Sequence, residues 1–241
     1  MLFSTLSTAL VFFAGSVTAL PWPGQPTVYA PATDLSNLAK LFPQSALPAP
    51  TEQLKYVLLG IGTQNYTCAT SDDSSVPGTT GALATLYDIG SNLNKDPMAK
   101  WKLGSIAPLA LALSNAPKTL EFSLTSQGYQ NVAGHHFFQM ISGANTPVFS
   151  LDKLQIQPQP LAPVSKLNAT DAPAAACPGN NGLPAVQWLY LKDTKGAAQG
   201  GIDSVYRVET AGGNKPATCK GMKPTWEVKY AAQYWIFGPK Q

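Results

Sequence analysis

Residues 226–237 alternate without a break. Trp226, Val228, Tyr230, Ala232, Tyr234 and Ile236 fall on one side of an extended chain, and Glu227, Lys229, Ala231, Gln233, Trp235 and Phe237 fall on the other. Successive side chains of a strand point to opposite faces, so the first set predicts a face buried from end to end. The second set begins charged and becomes aromatic, which predicts a face passing from solvent to cover. A chain that ends on such a strand must supply a sheet to receive it.

The rest of the sequence does so. From Leu54 onward, β-like runs broken by turn residues occur at 54–59, 63–68, 82–88, 119–125, 132–140, 147–151, 186–192 and 202–210. With Gly at 20, Pro at 21 and charged residues at only 12% of the chain, this predicts an all-β class, a single β-sandwich or β-barrel domain with few short helices. Residues 104–116 are apolar, and periodicity does not decide between helix and buried strand there. The Pro/Ala/Asn/Gly stretch at 158–184 is expected to be one long exposed loop. In 202–210, Ile202, Tyr206 and Val208 oppose Asp203, Arg207 and Glu209, predicting a solvated, salt-bridged face.

The first nineteen residues carry no charged side chain and an apolar run, Ala9 to Ala14, followed by Val17-Thr18-Ala19. That pattern is expected to be a signal peptide cleaved after Ala19. Residues 20–50 follow as a leader with seven prolines, interrupted at 34–42, where Leu35, Leu38 and Leu41 predict a short amphipathic helix. The β domain is assigned to 51–241. No later run is apolar long enough to span a bilayer as a helix, so the expected product is a secreted, extracellular protein with no membrane contact after cleavage.

Export bears on the cysteines and on two acceptor motifs. Cys68, Cys177 and Cys219 would meet an oxidising compartment, giving one disulfide and one leftover thiol. Asn65-Tyr66-Thr67 and Asn168-Ala169-Thr170 satisfy the N-glycosylation rule. Asn168 is expected in a loop, Asn65 in a less accessible strand.

Several chemistries are argued against by spacing. The formal charge of +3 is spread out with no basic cluster, so nucleic acid is not expected as a partner. Gly60-Ile61-Gly62 follows a hydrophobic run, but Asn65 stands where a dinucleotide fingerprint needs its third glycine, and strand follows instead of helix. Gly60 and Gly62 are therefore expected in a β turn or bulge, and no cofactor is expected. His135 and His136, adjacent on a strand, should point to opposite faces, one to the core and one to solvent, so no metal site is expected. No Gly-x-Ser-x-Gly elbow occurs. A hydrolase would have to draw on Asp203, Glu209 and Glu227 or on the His135/His136 region. Trp101, Trp188, Trp226 and Trp235 are the rings available for stacking on sugar, with Trp188 and Trp226 on core-patterned strands.

Several stretches together resemble the DUF3455 family: 54–68, Ala84-Thr85-Leu86-Tyr87-Asp88, Gly134-His135-His136-Phe137-Phe138, 186–191, 205–213 and 229–235. The resemblance runs in order from about Leu54 to Phe237. It implies an exported β-rich domain with no established activity and no catalytic residues to carry over. Fungal members often bear the label malate dehydrogenase, which the Gly60–Asn65 spacing argues against. The family pattern has counterparts of Cys68 and Cys219, which implies that these two pair and that Cys177 is an addition.

The function expected is therefore non-catalytic: interaction with cell-wall polysaccharide, another carbohydrate or a host-surface component. A secreted hydrolase is the alternative, and a structural or storage role the third. Trp235, beside Phe237 on the minority face of the last strand, is the candidate binding residue.

Overall fold

The computed structural model describes residues 29–68 and 73–240; the expected signal peptide and the first part of the leader lie outside them. Nine strands among the described residues form one antiparallel sheet: β1 (Gln53–Thr67), β2 (Gly78–Asp88), β3 (Val132–Ile141), β4 (Ala144–Ser150), β5 (Leu161–Pro163), β6 (Ser165–Thr170), β7 (Trp188–Lys192), β8 (Ser204–Gly212) and β9 (Thr225–Gly238). Their order is β5-β4-β3-β2-β1-β9-β8-β7-β6. The two edge strands are consecutive in the chain, with Val164 alone between them. β5 pairs with β4 on one edge and β6 with β7 on the other, so the sheet curls into a nearly closed barrel.

β1 and β9 form the spine, paired from Gln53↔Gly238 to Thr67↔Thr225. The expected glycine turn is absent. Gly60 and Gly62 lie inside the unbroken strand β1, where their lack of a side chain admits neighbours: a Cβ on Gly60 would sit 2.4 Å from Tyr234 Cε2, and one on Gly62 would sit 1.8 Å from the Leu83 carbonyl oxygen. A glycine inside a strand commonly marks such close approach.

Alternation along each strand divides the apolar residues into two cores. Leu58, Leu86, Phe149, Val205, Tyr234 and Ile236 face into the barrel. Leu59, Val57, Tyr206, Val208, Trp235 and Phe237 face outward, beneath a cover of helices. Each large apolar side chain fully buried this way contributes roughly 1.5–3 kcal/mol.

The cover comes from the β2–β3 connection and the leader. The apolar run at 104–116 lies largely in a helix, α3 (Ala99–Leu113), which follows α2 (Gly90–Leu93). Ala99, Leu103, Ile106, Ala107, Ala110 and Leu111 form its buried stripe, the three-and-four spacing of one helix face. The strand expected at 119–125 is instead α4 (Pro117–Ser126). Leu120, Phe122 and Leu124 alternate as a strand would, but Pro117 opens a helix in its first turn. Leu120 and Leu124 then turn inward and Phe122 outward. The leader helix α1 (Ser36–Ala39) buries Leu35 and Leu38. Phe42 packs edge-on against Tyr206, Trp235 and Phe237 with ring centroids 5.0, 5.4 and 5.8 Å away.

Two further expectations are revised. The 158–184 stretch is not one loop, because it contains two short strands, the apolar β5 (Leu161-Ala162-Pro163) and the polar, largely exposed β6. The 202–210 charges do not share a solvated face. Glu209 sits at positive φ (47°), within the register irregularity between Val208 and Ala211, and that bulge breaks the alternation. Cys68 and Cys219 are disulfide-bonded, with Cα atoms 5.9 Å apart, and Cys177 is free.

Candidate functional site

The barrel wall is not sealed along its whole length. Val164 N–H donates to the Pro147 carbonyl at 2.9 Å, and Leu161 is bridged to Gln199 below it. Beyond Val164 the chain leaves β4 to pair with β7, so Ala144–Pro147 of β4 and Ser165 onward of β6 diverge. The gap leads into a cavity of about 740 Å³ lined by these residues and by inward side chains of β1, β3, β7, β8 and β9. That volume lies in the usual range for small-molecule sites.

The floor is built from alternating positions. On β3, His136 points inward and is 4% exposed; its Nδ1 lies 3.0 Å from the Val148 carbonyl oxygen, and its ring stacks on Phe149 at 4.2 Å. Burial pushes its pKa down to about 4, opposed by the Val148 bond and reinforced by Arg207, so the imidazole is neutral at physiological pH. On β9, the Tyr230 and Tyr234 hydroxyls are 2.7 Å apart, and burial raises both phenols. On β1, Gln64 is buried, and its Nε2, beside the Tyr230 hydroxyl, lacks a hydrogen bond of normal geometry.

Arg207 is the charge in this floor. It is 9% exposed, and Nε and Nη2 both donate to the Gln187 carbonyl, at 3.1 and 2.9 Å. Among the described residues no carboxylate pairs with it. Burying a cation without a partner is costly, and here the open side of the guanidinium meets the cavity. The solvated face expected for Arg207 follows from grouping Tyr206 with Ile202. In fact Ile202 and Val205 face the barrel interior and Tyr206 the outer core. The Val205/Arg207 spacing was the signal available.

At the rim, the two acids of the lining are engaged locally. Asp171 accepts from Gln187 Nε2 at 2.9 Å. Asp193 accepts from the Lys195 and Ala198 N–H groups at 2.8 and 2.7 Å. Lys166, Lys195 and Lys215 also line the cavity; Lys215 Nζ donates to the Pro77 carbonyl.

The residues singled out from sequence fall elsewhere. Trp235 is 0% and Phe237 3% exposed; both lie in the outer core beneath Phe42, so the aromatic recognition surface expected there is not formed. Trp188 is buried, Trp226 is tilted against Tyr66 at 5.7 Å, and Trp101 stands 75% exposed on α3, so the four indoles form no platform. His135 faces outward, its Nδ1 2.9 Å from Asp152 Oδ1. Asp203 lies 3.4 Å from Lys192, which also holds Glu52. Glu209 is half-buried near Gly104 of α3, and Glu227 lines a separate surface groove. The three acids and His135 do not converge. Among the described residues no group of three or more His, Cys, Asp or Glu could hold a metal ion, and no helix is long and apolar enough to cross a membrane. Asn168 is exposed on β6, and Asn65 is half-buried in β1.

No curated protein and no solved structure matches the chain. Residues 48–238, from the end of the leader through β9, match the family model described as a protein of unknown function, DUF3455, and the chain belongs to that family.

Proposed function

We propose that this protein is exported and serves as a non-catalytic binding module that takes a small ligand into the barrel. The observation that carries the reading is the cavity beneath the β4/β6 gap, whose lining mixes apolar walls with a few buried polar side chains, Gln64, His136 and Arg207. Binding sites are built this way: apolar area supplies affinity and a few placed polar groups fix orientation. The charge-poor N-terminal segment and the Cys68–Cys219 bridge support export. A cell-wall or host-surface partner is then met through a component small enough to enter the gap, such as a chain end or a released fragment. A hydrolase is less well supported, because Asp203, Glu209 and Glu227 lie outside the cavity that His136 lines.

The test is occupancy. Native mass spectrometry of secreted full-length protein should show a bound small molecule, which Leu189→Trp, placing an indole in the cavity, removes, and that variant should melt no lower than wild type freed of its ligand. Protein that arrives empty, and whose melting temperature does not respond to a broad panel of small organic ligands, would overturn the reading.

A further inference from the structure

Resting on that binding reading, we infer that the ligand is a small organic monocarboxylate, with its anionic head on Arg207 and its apolar body along the Phe149, Leu189 and Leu191 wall. Arg207 is always charged, and it lies more than nine-tenths buried with no acid to neutralise it. The Gln187 carbonyl holds Nε and one Nη2 hydrogen and the Tyr234 hydroxyl accepts from the same guanidinium, which fixes its plane and leaves the rest of its five N–H groups for another acceptor. The titratable groups that feel its charge are neutral: the Tyr66, Tyr230 and Tyr234 phenols and the His136 imidazole.

A floor holding one net positive charge, with guanidinium N–H groups turned toward the cavity, is complementary to a single negative charge. A dianionic head, such as a phosphate monoester, would leave an uncompensated charge inside the barrel, where burial is most costly. The rim agrees in sign: Lys166, Lys195 and Lys215 join Arg207 as four cations in the lining against two carboxylates, and both carboxylates are already tied to local donors. Such a field draws anions toward the gap. The cavity volume of about 740 Å³ leaves room behind the head for an aromatic or alkyl body.

The experiment is a calorimetric titration of the full secreted chain, freed of bound material, with 3-phenylpropanoate and decanoate, their primary amides, and phenyl phosphate. The carboxylates should bind at least about tenfold more tightly than the matched amides, the size expected when one partner of a buried hydrogen bond is charged. Arg207→Gln should erase that preference, and Arg207→Lys should keep part of it. Should Arg207→Gln fail to fold, the carboxylate-to-amide ratio in the wild-type protein decides. Equal affinity for acid and amide, an unchanged preference in Arg207→Gln, or tighter binding of phenyl phosphate overturns the carboxylate assignment while leaving a binding module. If no probe binds at all, the assignment falls, and the native mass spectrum decides separately whether the cavity is a binding site.

Discussion

The ring of Tyr234 lies across Gly60, two residues along β9 from Ala232, the register partner of Gly60, so that a Cβ there would meet Tyr234 Cε2 at 2.4 Å and Cδ2 at 2.9 Å. The glycine thus creates the space in which the tyrosine reaches both Tyr230 and the cavity floor. Gly60→Ala should force the ring aside and destabilise the fold by about 1–3 kcal/mol, as overpacking does. Urea unfolding measures this. A stability unchanged within a few tenths of a kcal/mol would mean that the ring moves freely and that its position is not set by Gly60.

The disulfide makes a second forecast. Cys68 and Cys219 are 151 residues apart in sequence, and closing a loop of that size restricts the unfolded chain by about 5 kcal/mol in the entropy model. Replacing both by Ser should lower stability by up to that amount, whereas Cys177→Ser should change little. Non-reducing peptide mapping that links Cys177 to either partner would contradict the pairing.

His136 ties stability to pH. Its folded pKa, about 4, lies below the ordinary imidazole value, so over the interval between them the unfolded chain binds more protons than the folded one. Stability must then rise with pH across that window and fall as the solution is acidified from about pH 6.5 toward 4. The full shift is worth on the order of 3 kcal/mol. Glu209 and Asp203, raised by burial, act in the opposite sense, so the comparison is between wild type and His136→Gln measured side by side. If the two curves run parallel between pH 4 and 6.5, His136 is not the group responsible.

Trp235 and Trp101 should behave oppositely. Trp235→Ala removes a ring packed between Phe42 and α3 and should cost about 3–5 kcal/mol. Trp101→Ala, on a side chain 75% exposed, should stay within about 0.5 kcal/mol of wild type. Thermal melts of the two variants check this, and a mild Trp235→Ala would return that residue to the surface.

Glu209 offers a gain. It adopts a left-handed conformation (φ 47°) with a carboxyl pushed up by burial. Glu209→Gly relieves both, and since left-handed backbone costs a non-glycine residue roughly 1–2 kcal/mol, chemical denaturation should show a net increase of about 1 kcal/mol. A loss would show that the Glu209 side chain makes contacts worth more than its strain.

The spine of the barrel was legible because β9 alternates cleanly and both of its faces end in a core. The secondary structure was misread where one residue broke a period. Phe122 lent α4 the look of a strand, and the bulge at Glu209 reversed the apparent sides of β8. Arg207 is hidden for a different reason, the placing of Ile202 and Tyr206 on one face when they lie on opposite ones, since side is relative and must be anchored on a residue whose burial is known. The cavity was not legible at all. It arises because the chain crosses from one edge of the sheet to the other at Val164, a relationship between β4 and β6 that no local pattern encodes.

That crossing also governs how the protein behaves in a crowd of its own copies. An open sheet presents two rows of unpaired backbone groups, ready templates for joining another molecule. Here β5 is three residues long and ends in Pro163, the unpaired stretch of β4 carries Pro147, and β6 presents exposed Lys166 and Asn168. Both edges belong to the same narrow slit and face each other across a few residues of chain. An incoming strand would have to enter that slit past prolines that cannot donate to it. The barrel can therefore stay open to a small molecule without being open to fibril growth.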